Sequence, residues 1–363
     1  MELTQIITEK IKSAGPISFH DFMEMALYHP GFGYYSSAKP KIGKQGDYFT
    51  TPELTVLLGK LLAKQLEEMW QLLDKAPFTI VEFGAGNGKL CADLLGCLKN
   101  NHEMYRSLRY CIIEKSLALQ KIQQEKLLEK VTWHHSIDEL QFSNGCVIAN
   151  EVLDNFAVHR VIQKRELMEI FVDVDVDNHF KEILRPASAP LKDYFEQLQV
   201  QLPEGCHAEV NLQAIQWLGD VAASIKKGFV ITVDYGTTSE LLYRKTATNG
   251  TLLCFYRQEA NEKWYERIGE QDITAHVNFS ALLYWGNQFG LQSCGYTLQS
   301  HFLHSLGLVP LLQRTSLEFY PLMIDTARKF KVLIQQKGLV HPSLSGMRIS
   351  LSGNKPLATA GLF

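Results

Sequence analysis

Apolar residues along the 363-residue chain follow several rhythms, each predicting a different kind of element. A short amphipathic helix opens the chain. A loop-rich stretch follows, where Pro30, Gly31 and Gly33 break up the aromatics of residues 28–35. Thr51-Pro52-Glu53 marks a helix start, with a capping hydroxyl, a proline at the first helical position and an acid in the first turn. Behind it Leu54, Leu57, Leu58, Leu61, Leu62, Leu66, Met69 and Trp70 recur at helical spacing and are predicted to face a core. From residue 78 short apolar runs alternate with helical patterns. Strands are predicted at 78–83, 110–113, 146–149 and 229–233, and helices at 89–98, 117–129 and near 212–226. This rhythm implies a mostly parallel sheet covered by helices on both faces. Residues 160–185 interrupt it. Met168, Ile170, Val172, Val174 and Val176 alternate with Glu169, Asp173, Asp175 and Asp177, the period of a half-exposed antiparallel hairpin. Residues 185–190, with two prolines, read as the linker out of it. The expected fold is α/β. It has a doubly wound Rossmann-like core in two halves (76–160 and 211–363), an N-terminal lid (1–75) and an inserted hairpin-rich subdomain (161–210).

Composition changes this picture little. The apolar share of 46% suits a substantial buried core, and a net charge of -3 gives no reason to expect nucleic acid as a partner. The seven cysteines are scattered without a C-x-x-C pair, so they read as reduced thiols, and no metal centre is expected. No apolar run reaches the roughly 18 residues needed to span a bilayer. The first residues have neither a basic region before an apolar stretch nor an Arg-rich, acid-poor character. The expectation is a cytoplasmic protein, bacterial if the chain is complete, with no membrane insertion; its oligomeric state is not legible.

The candidate chemistry begins at Glu82-Phe83-Gly84-Ala85-Gly86-Asn87-Gly88, where a predicted strand feeds a helix through glycines that let a ligand approach the backbone. Lys89 stands where a dinucleotide loop of the form G-x-G-x-x-G has its third glycine. Glu82 at the strand end would oppose a pyrophosphate but suits a cationic amine. S-adenosylmethionine carries an amino group and a sulfonium and no phosphate, so it is the expected cofactor. Glu114 ends the next predicted strand and is placed to accept hydrogen bonds from ribose hydroxyls. Ser136 and Ile137, after a third strand, are placed to flank the adenine. The alternative is a nicotinamide-dependent oxidoreductase, which the glycines and Glu114 allow and Glu82 and Lys89 disfavour.

Several separated motifs give the chain a resemblance to the MidA family of S-adenosylmethionine-dependent methyltransferases. They are residues 26–35 (ALYHPGFGYY), 42–53 (IGKQGDYFTTPE), the glycine loop with Glu82, and 149–154 (ANEVLD). Further on stand 233–236 (VDYG), 250–252 (GTL) and 272–279 (DITAHVNF). The chain departs from the family pattern at Ala85, Lys89, 155–157 and Gln258. The resemblance covers most of the chain. It implies a methyltransferase core and a protein arginine as acceptor, since eukaryotic members are assembly factors for respiratory complex I and protein-arginine methyltransferases. It also leaves open a cofactor-binding assembly factor that transfers nothing.

Methyl transfer from a sulfonium is an in-line displacement that needs alignment and exclusion of water. A guanidinium nucleophile also needs its charge offset and a proton removed, which carboxylates do. Asn150 and Glu151 follow a predicted core strand, and Glu53 sits at a helix start; these three are the catalytic candidates. Asp47, in a Gly46-Asp47 turn, is a candidate contact for the cofactor's amino group. Asp272, Thr274 and His276 are candidates for lining the acceptor groove, and Tyr28, Phe32, Tyr34 and Tyr35 for packing of the N-terminal segment.

Overall fold

The computed structural model describes residues 2–36, 41, 56–127, 129–244, 249–312 and 329–349. They fall into two compact units, each assembled from three stretches of chain. One contains Phe49–Val152, Trp217–Tyr235 and Leu282–Phe363; the other contains Met1–Tyr48, Leu153–Gln216 and Gly236–Ala281.

The first of these units is built on a twisted sheet. Its strands are β1 (Phe78–Phe83), β2 (Leu108–Ile113), β3 (Val131–His134), β4 (Phe142–Asn150), β5 (Ile225–Thr237), β6 (Gln292–Leu298) and β7 (Phe330–Lys337). Their spatial order is β3-β2-β1-β4-β5-β7-β6. The first five run parallel; β7 pairs antiparallel with both β5 and β6. β1 is apolar or buried at every position, as a parallel strand covered on both faces must be. The helices α1 (Leu57–Leu72), α2 (Lys89–Leu98), α3 (Leu117–Lys126) and α4 (Leu212–Ser224) alternate with the strands. On α1 the predicted stripe Leu57, Leu58, Leu61, Leu62, Leu66, Met69 and Trp70 is buried in one core with Leu90, Leu94 and Leu98 of α2 and Ile80 and Ile148 of the sheet. Strand order reverses between β1 and β4, and it is at such a switch point that open α/β sheets leave a crevice at their carboxyl ends.

The other unit holds a five-stranded antiparallel sheet. Leu167–Val174 and Phe180–Pro186 form the hairpin predicted from the period of two. Asp175 closes its turn by accepting from the backbone N–H groups of Asp177 and His179. The 185–190 stretch is not a linker: Arg185 and Pro186 end the second hairpin strand, and a helix starts at Ala189 with Pro190 in its first turn. Proline is compatible with both places because neither needs its missing N–H. A second helix, Phe19–Tyr28, stands in the N-terminal stretch expected to be loop-rich. The Ser18 hydroxyl caps it by accepting from the Asp21 N–H, and Phe19, Phe22, Met23, Ala26 and Leu27 are buried. Tyr34 is wholly buried in the same core. No described helix is long and apolar enough to cross a membrane.

Candidate cofactor and catalytic site

β1 delivers its chain to a bend that only glycine tolerates well. Gly84, Gly86 and Gly88 have φ of 58°, 55° and 81°, in the left-handed region where a Cβ is strained. The bend is pinned by the Gly84 N–H donating to the Ile113 carbonyl (3.0 Å) and the Gly88 N–H donating to the Ala85 carbonyl (2.8 Å). The Lys89 N–H donates to Asn87 Oδ1 (3.1 Å), and α2 begins there. A Cβ on Gly84 would lie 3.2 Å from Val152 Cγ2, so the space over the loop is narrow as well as its dihedrals special.

Two acids flank the bend. Glu82, 3% exposed, accepts from the Tyr110 hydroxyl at 2.6 Å. Burial, with help from the charge of Glu114, pushes its carboxyl up to about 7, against the lowering effect of the tyrosine hydrogen bond. Glu114 follows β2. Its Oε1 accepts from the Ser116 N–H (2.9 Å) and its Oε2 from Gln123 Nε2 (3.0 Å). Burial raises this carboxyl too, and those two hydrogen bonds pull it back. Among the described residues neither acid is paired with Lys or Arg. Two buried acids flanking a glycine bend, neither of them neutralised by a basic side chain, offer acceptors to a positively charged, phosphate-free ligand with a diol.

The carboxyl end of β4 adds the third element. Asn150 pairs with Val233 across the sheet, and its Nδ2 donates to Glu151 Oε1 (3.2 Å). Glu151 itself has φ of 56°, a left-handed conformation in a residue with a full side chain. Its N–H donates to the Val233 carbonyl (2.8 Å). The next N–H, of Val152, donates to Asp234 Oδ2 (3.2 Å), and Asp234 is fully buried. The turn after β4 is thus held from both ends. Ser136 caps the short turn Ile137–Glu139, accepting from the Asp138 N–H (3.3 Å). Ile137 is buried and its carbonyl accepts from Ser224 Oγ (3.3 Å).

The structure therefore brings Glu82, Gly84, Gly86, Gly88, Glu114, Asn150 and Glu151 to the carboxyl ends of β1, β2 and β4, with Ser136 and Ile137 just after β3. Asp47 and Glu53 lie outside the described residues. In the other unit Asp272 is buried and accepts from Tyr35 Oη and Asn155 Nδ2 (both 3.0 Å), with Tyr28 Oη donating to the Asn155 carbonyl (3.1 Å). These motif residues fasten the unit from within. His276 is exposed and borders a cavity of about 410 Å³ with Arg160, His207, Thr251 and Trp264; Asp272 and Thr274 are not among its walls. Three members of the loop site escape the sequence reading: Tyr110, Gln123 and Trp133. Tyr110 sits at an ordinary apolar strand position, and nothing local announces its hydroxyl.

Comparison with known proteins agrees with this chemistry. Residues 61–297 match the family of S-adenosyl-L-methionine-dependent methyltransferases. The mouse mitochondrial protein arginine methyltransferase NDUFAF7 is 29% identical over 332 residues, which cover 82% of this chain and 72% of that protein. The human protein of the same name is 26% identical over the same shares of the two chains. The solved structure of a Burkholderia thailandensis protein bound to S-adenosyl-homocysteine superposes with a TM-score of 0.84 at 31% identity, covering 96% of this chain and 95% of that one. The nicotinamide alternative is set aside, and the cofactor is S-adenosylmethionine. The chain belongs to the MidA-like family of S-adenosylmethionine-dependent methyltransferases that its motifs resemble.

Proposed function

We propose that this enzyme methylates arginine side chains of a protein substrate, and that the substrate is a subunit of a respiratory NADH dehydrogenase. The observation that carries the first part is Glu151, held at φ of 56° at the end of β4 with its carboxylate bonded to Asn150. A strained acid beside a cofactor loop is what a cationic acceptor calls for. The mouse and human relatives, both protein arginine methyltransferases, support the same acceptor; the family resemblance supports the dehydrogenase subunit.

When bound, the cofactor supplies an activated methyl group. Glu82 would offset its positive charge, Glu114 would take the ribose hydroxyls, the glycines would let the backbone approach, and Ser136 and Ile137 would border the adenine. Glu151, oriented by Asn150, pairs with the guanidinium fork, aligns its nitrogen and accepts the proton released. Glu53 is assigned as a second acid toward the acceptor and Asp47 as a partner of the cofactor's amino group.

The test is mass spectrometry of methylarginine in host cells with and without this gene. Loss of a methylated arginine from an NADH dehydrogenase subunit on deletion is expected. An unchanged methylarginine pattern overturns the acceptor assignment.

A further inference from the structure

We infer that Gln123, on α3, is a positioning residue for cofactor binding: it fixes the carboxylate that receives the ribose and ties it to the glycine bend. The inference rests on the reading of Glu114 as the ribose acceptor. Gln123 is fully buried, which is unusual for a glutamine, and every other residue of α3 is exposed or half-exposed. Both N–H donors of its amide and one lone pair of its carbonyl oxygen are taken up. Nε2 donates to Glu114 Oε2 (3.0 Å) and to the Gly86 carbonyl (2.9 Å), and Oε1 accepts from the Trp133 indole N–H (2.9 Å). The amide has one workable orientation. Turned over, its oxygen would face a carboxylate and a carbonyl, and its NH₂ would face an indole donor.

The same face of α3 continues the grip. Lys126 Nζ donates to the Asn87 carbonyl (3.2 Å), and Leu127 lies where a Cβ on Gly88 would come within 3.1 Å of it. Gln123 and Lys126 share one helical face, and Leu127 caps the helix, so α3 and its cap reach the bend at Gly86, Asn87 and Gly88 in succession. Only Gln123 also reaches Glu114. A carboxylate has room for further hydrogen bonds once two are made. With Ser116 on one oxygen and Gln123 on the other, Glu114 presents its remaining lone pairs in a fixed direction, and the two bonds offset part of the penalty that burial places on its charge. The side chain therefore does two things that packing alone would not: it aims the acid and links the aim to the loop.

The experiment is calorimetric titration of wild type, Gln123→Met, Gln123→Glu and Glu114→Gln with S-adenosyl-homocysteine and with its analogue lacking both ribose hydroxyls. Binding stoichiometry counts the folded fraction, so affinity is read from the molecules that fold. For Gln123→Met we expect S-adenosyl-homocysteine to weaken about tenfold, with a loss several times smaller for the analogue. Gln123→Glu, which keeps an acceptor for Trp133 but loses both donors, should weaken S-adenosyl-homocysteine at least as much, with the indole proton resonance of Trp133 retained. Equal losses for the two ligands, or no loss, in Gln123→Met would overturn the inference. Unchanged S-adenosyl-homocysteine affinity in Glu114→Gln would instead overturn the ribose assignment on which it rests.

Discussion

Single residues carry the strongest chemical demands in this fold, and Glu82 is the first. Its carboxyl titrates near 7 in the folded, ligand-free chain against an ordinary 4.5. Between those values the folded state holds a proton that the unfolded state has lost, so this group makes stability fall as pH rises through the window. Glu82→Gln should therefore raise the melting temperature of the ligand-free protein at pH 8, by an amount equivalent to about 1–3 kcal/mol. The gap should close toward pH 4.5, as thermal unfolding across pH will show. The same variant should bind S-adenosylmethionine more weakly at pH 8, because the cation prefers the ionised acid; tighter binding would remove Glu82 from the cofactor site. Glu151 makes the complementary trade. Left-handed backbone costs a side-chain-bearing residue about 1–2 kcal/mol relative to glycine. Glu151→Gly is thus expected to stabilise the chain by about 1 kcal/mol in denaturant titration and to abolish transfer, whereas Glu151→Gln should keep both stability and cofactor binding and lose only turnover. The glycines and strand-end acids were legible from sequence because their constraints are local. Gln123 was not: its partners, Gly86, Glu114 and Trp133, lie outside its own helix, and a helical glutamine looks solvated until tertiary structure buries it.

At the scale of elements, the parallel strands were readable wherever both faces are covered, but several of their ends were not. β1 was predicted residue for residue because it is a short, mostly apolar run closed by glycine. β2 starts two residues earlier than predicted, since exposed Arg109 sits inside it. β5 extends well beyond the predicted 229–233, through Lys226, Lys227 and Gly228 on one side and into 234–237 on the other. Pairing with β4 and β7, and at 236–237 with Val277 and Asn278, fixes those ends, and pairing is not a local property. The link between β4 and β5 yields a prediction of its own. Asp234 ends the apolar run of β5 and accepts the Val152 N–H that follows Glu151. Asp234→Ala leaves that donor without its partner and should destabilise the protein by about 1–3 kcal/mol. It should also lower kcat more than it raises KM for the cofactor, because what loosens is the turn carrying Glu151. Asp234→Asn keeps an acceptor and should recover part of both losses. If the alanine variant keeps full turnover, the turn does not position the catalytic acid.

For the whole molecule, the chain passes back and forth between two compact units, so neither corresponds to one continuous stretch of sequence. Unit membership is set by contacts between distant segments, and no shift in composition marks where the chain changes unit. The glycine bend, Glu82, Glu114, Asn150 and Glu151 all belong to the unit containing Phe49–Val152, and the antiparallel hairpin Leu167–Pro186 belongs to the other. This separation makes the location of the cofactor testable without a crystal. A ligand that binds only the folded state stabilises it by mass action, about 2.7 kcal/mol at a free concentration one hundred times its Kd. Saturating S-adenosyl-homocysteine should therefore raise the unfolding midpoint, while NAD at the same concentration should leave it unchanged. Amide hydrogen exchange then reports where that free energy acts. Exchange slows most where contacts suppress local opening, so the backbone of residues 82–89, 114–116 and 136–137 should be the most strongly protected by the ligand. The turn at 175–179, closed by its own Asp175 hydrogen bonds, should exchange at its ligand-free rate. Protection concentrated at the hairpin, with residues 82–89 unaffected, would place the ligand in the other unit and undo the assignment of Glu82 and Glu114. Protection confined to the strand ends would tie the stabilisation to the crevice where β1 and β4 part.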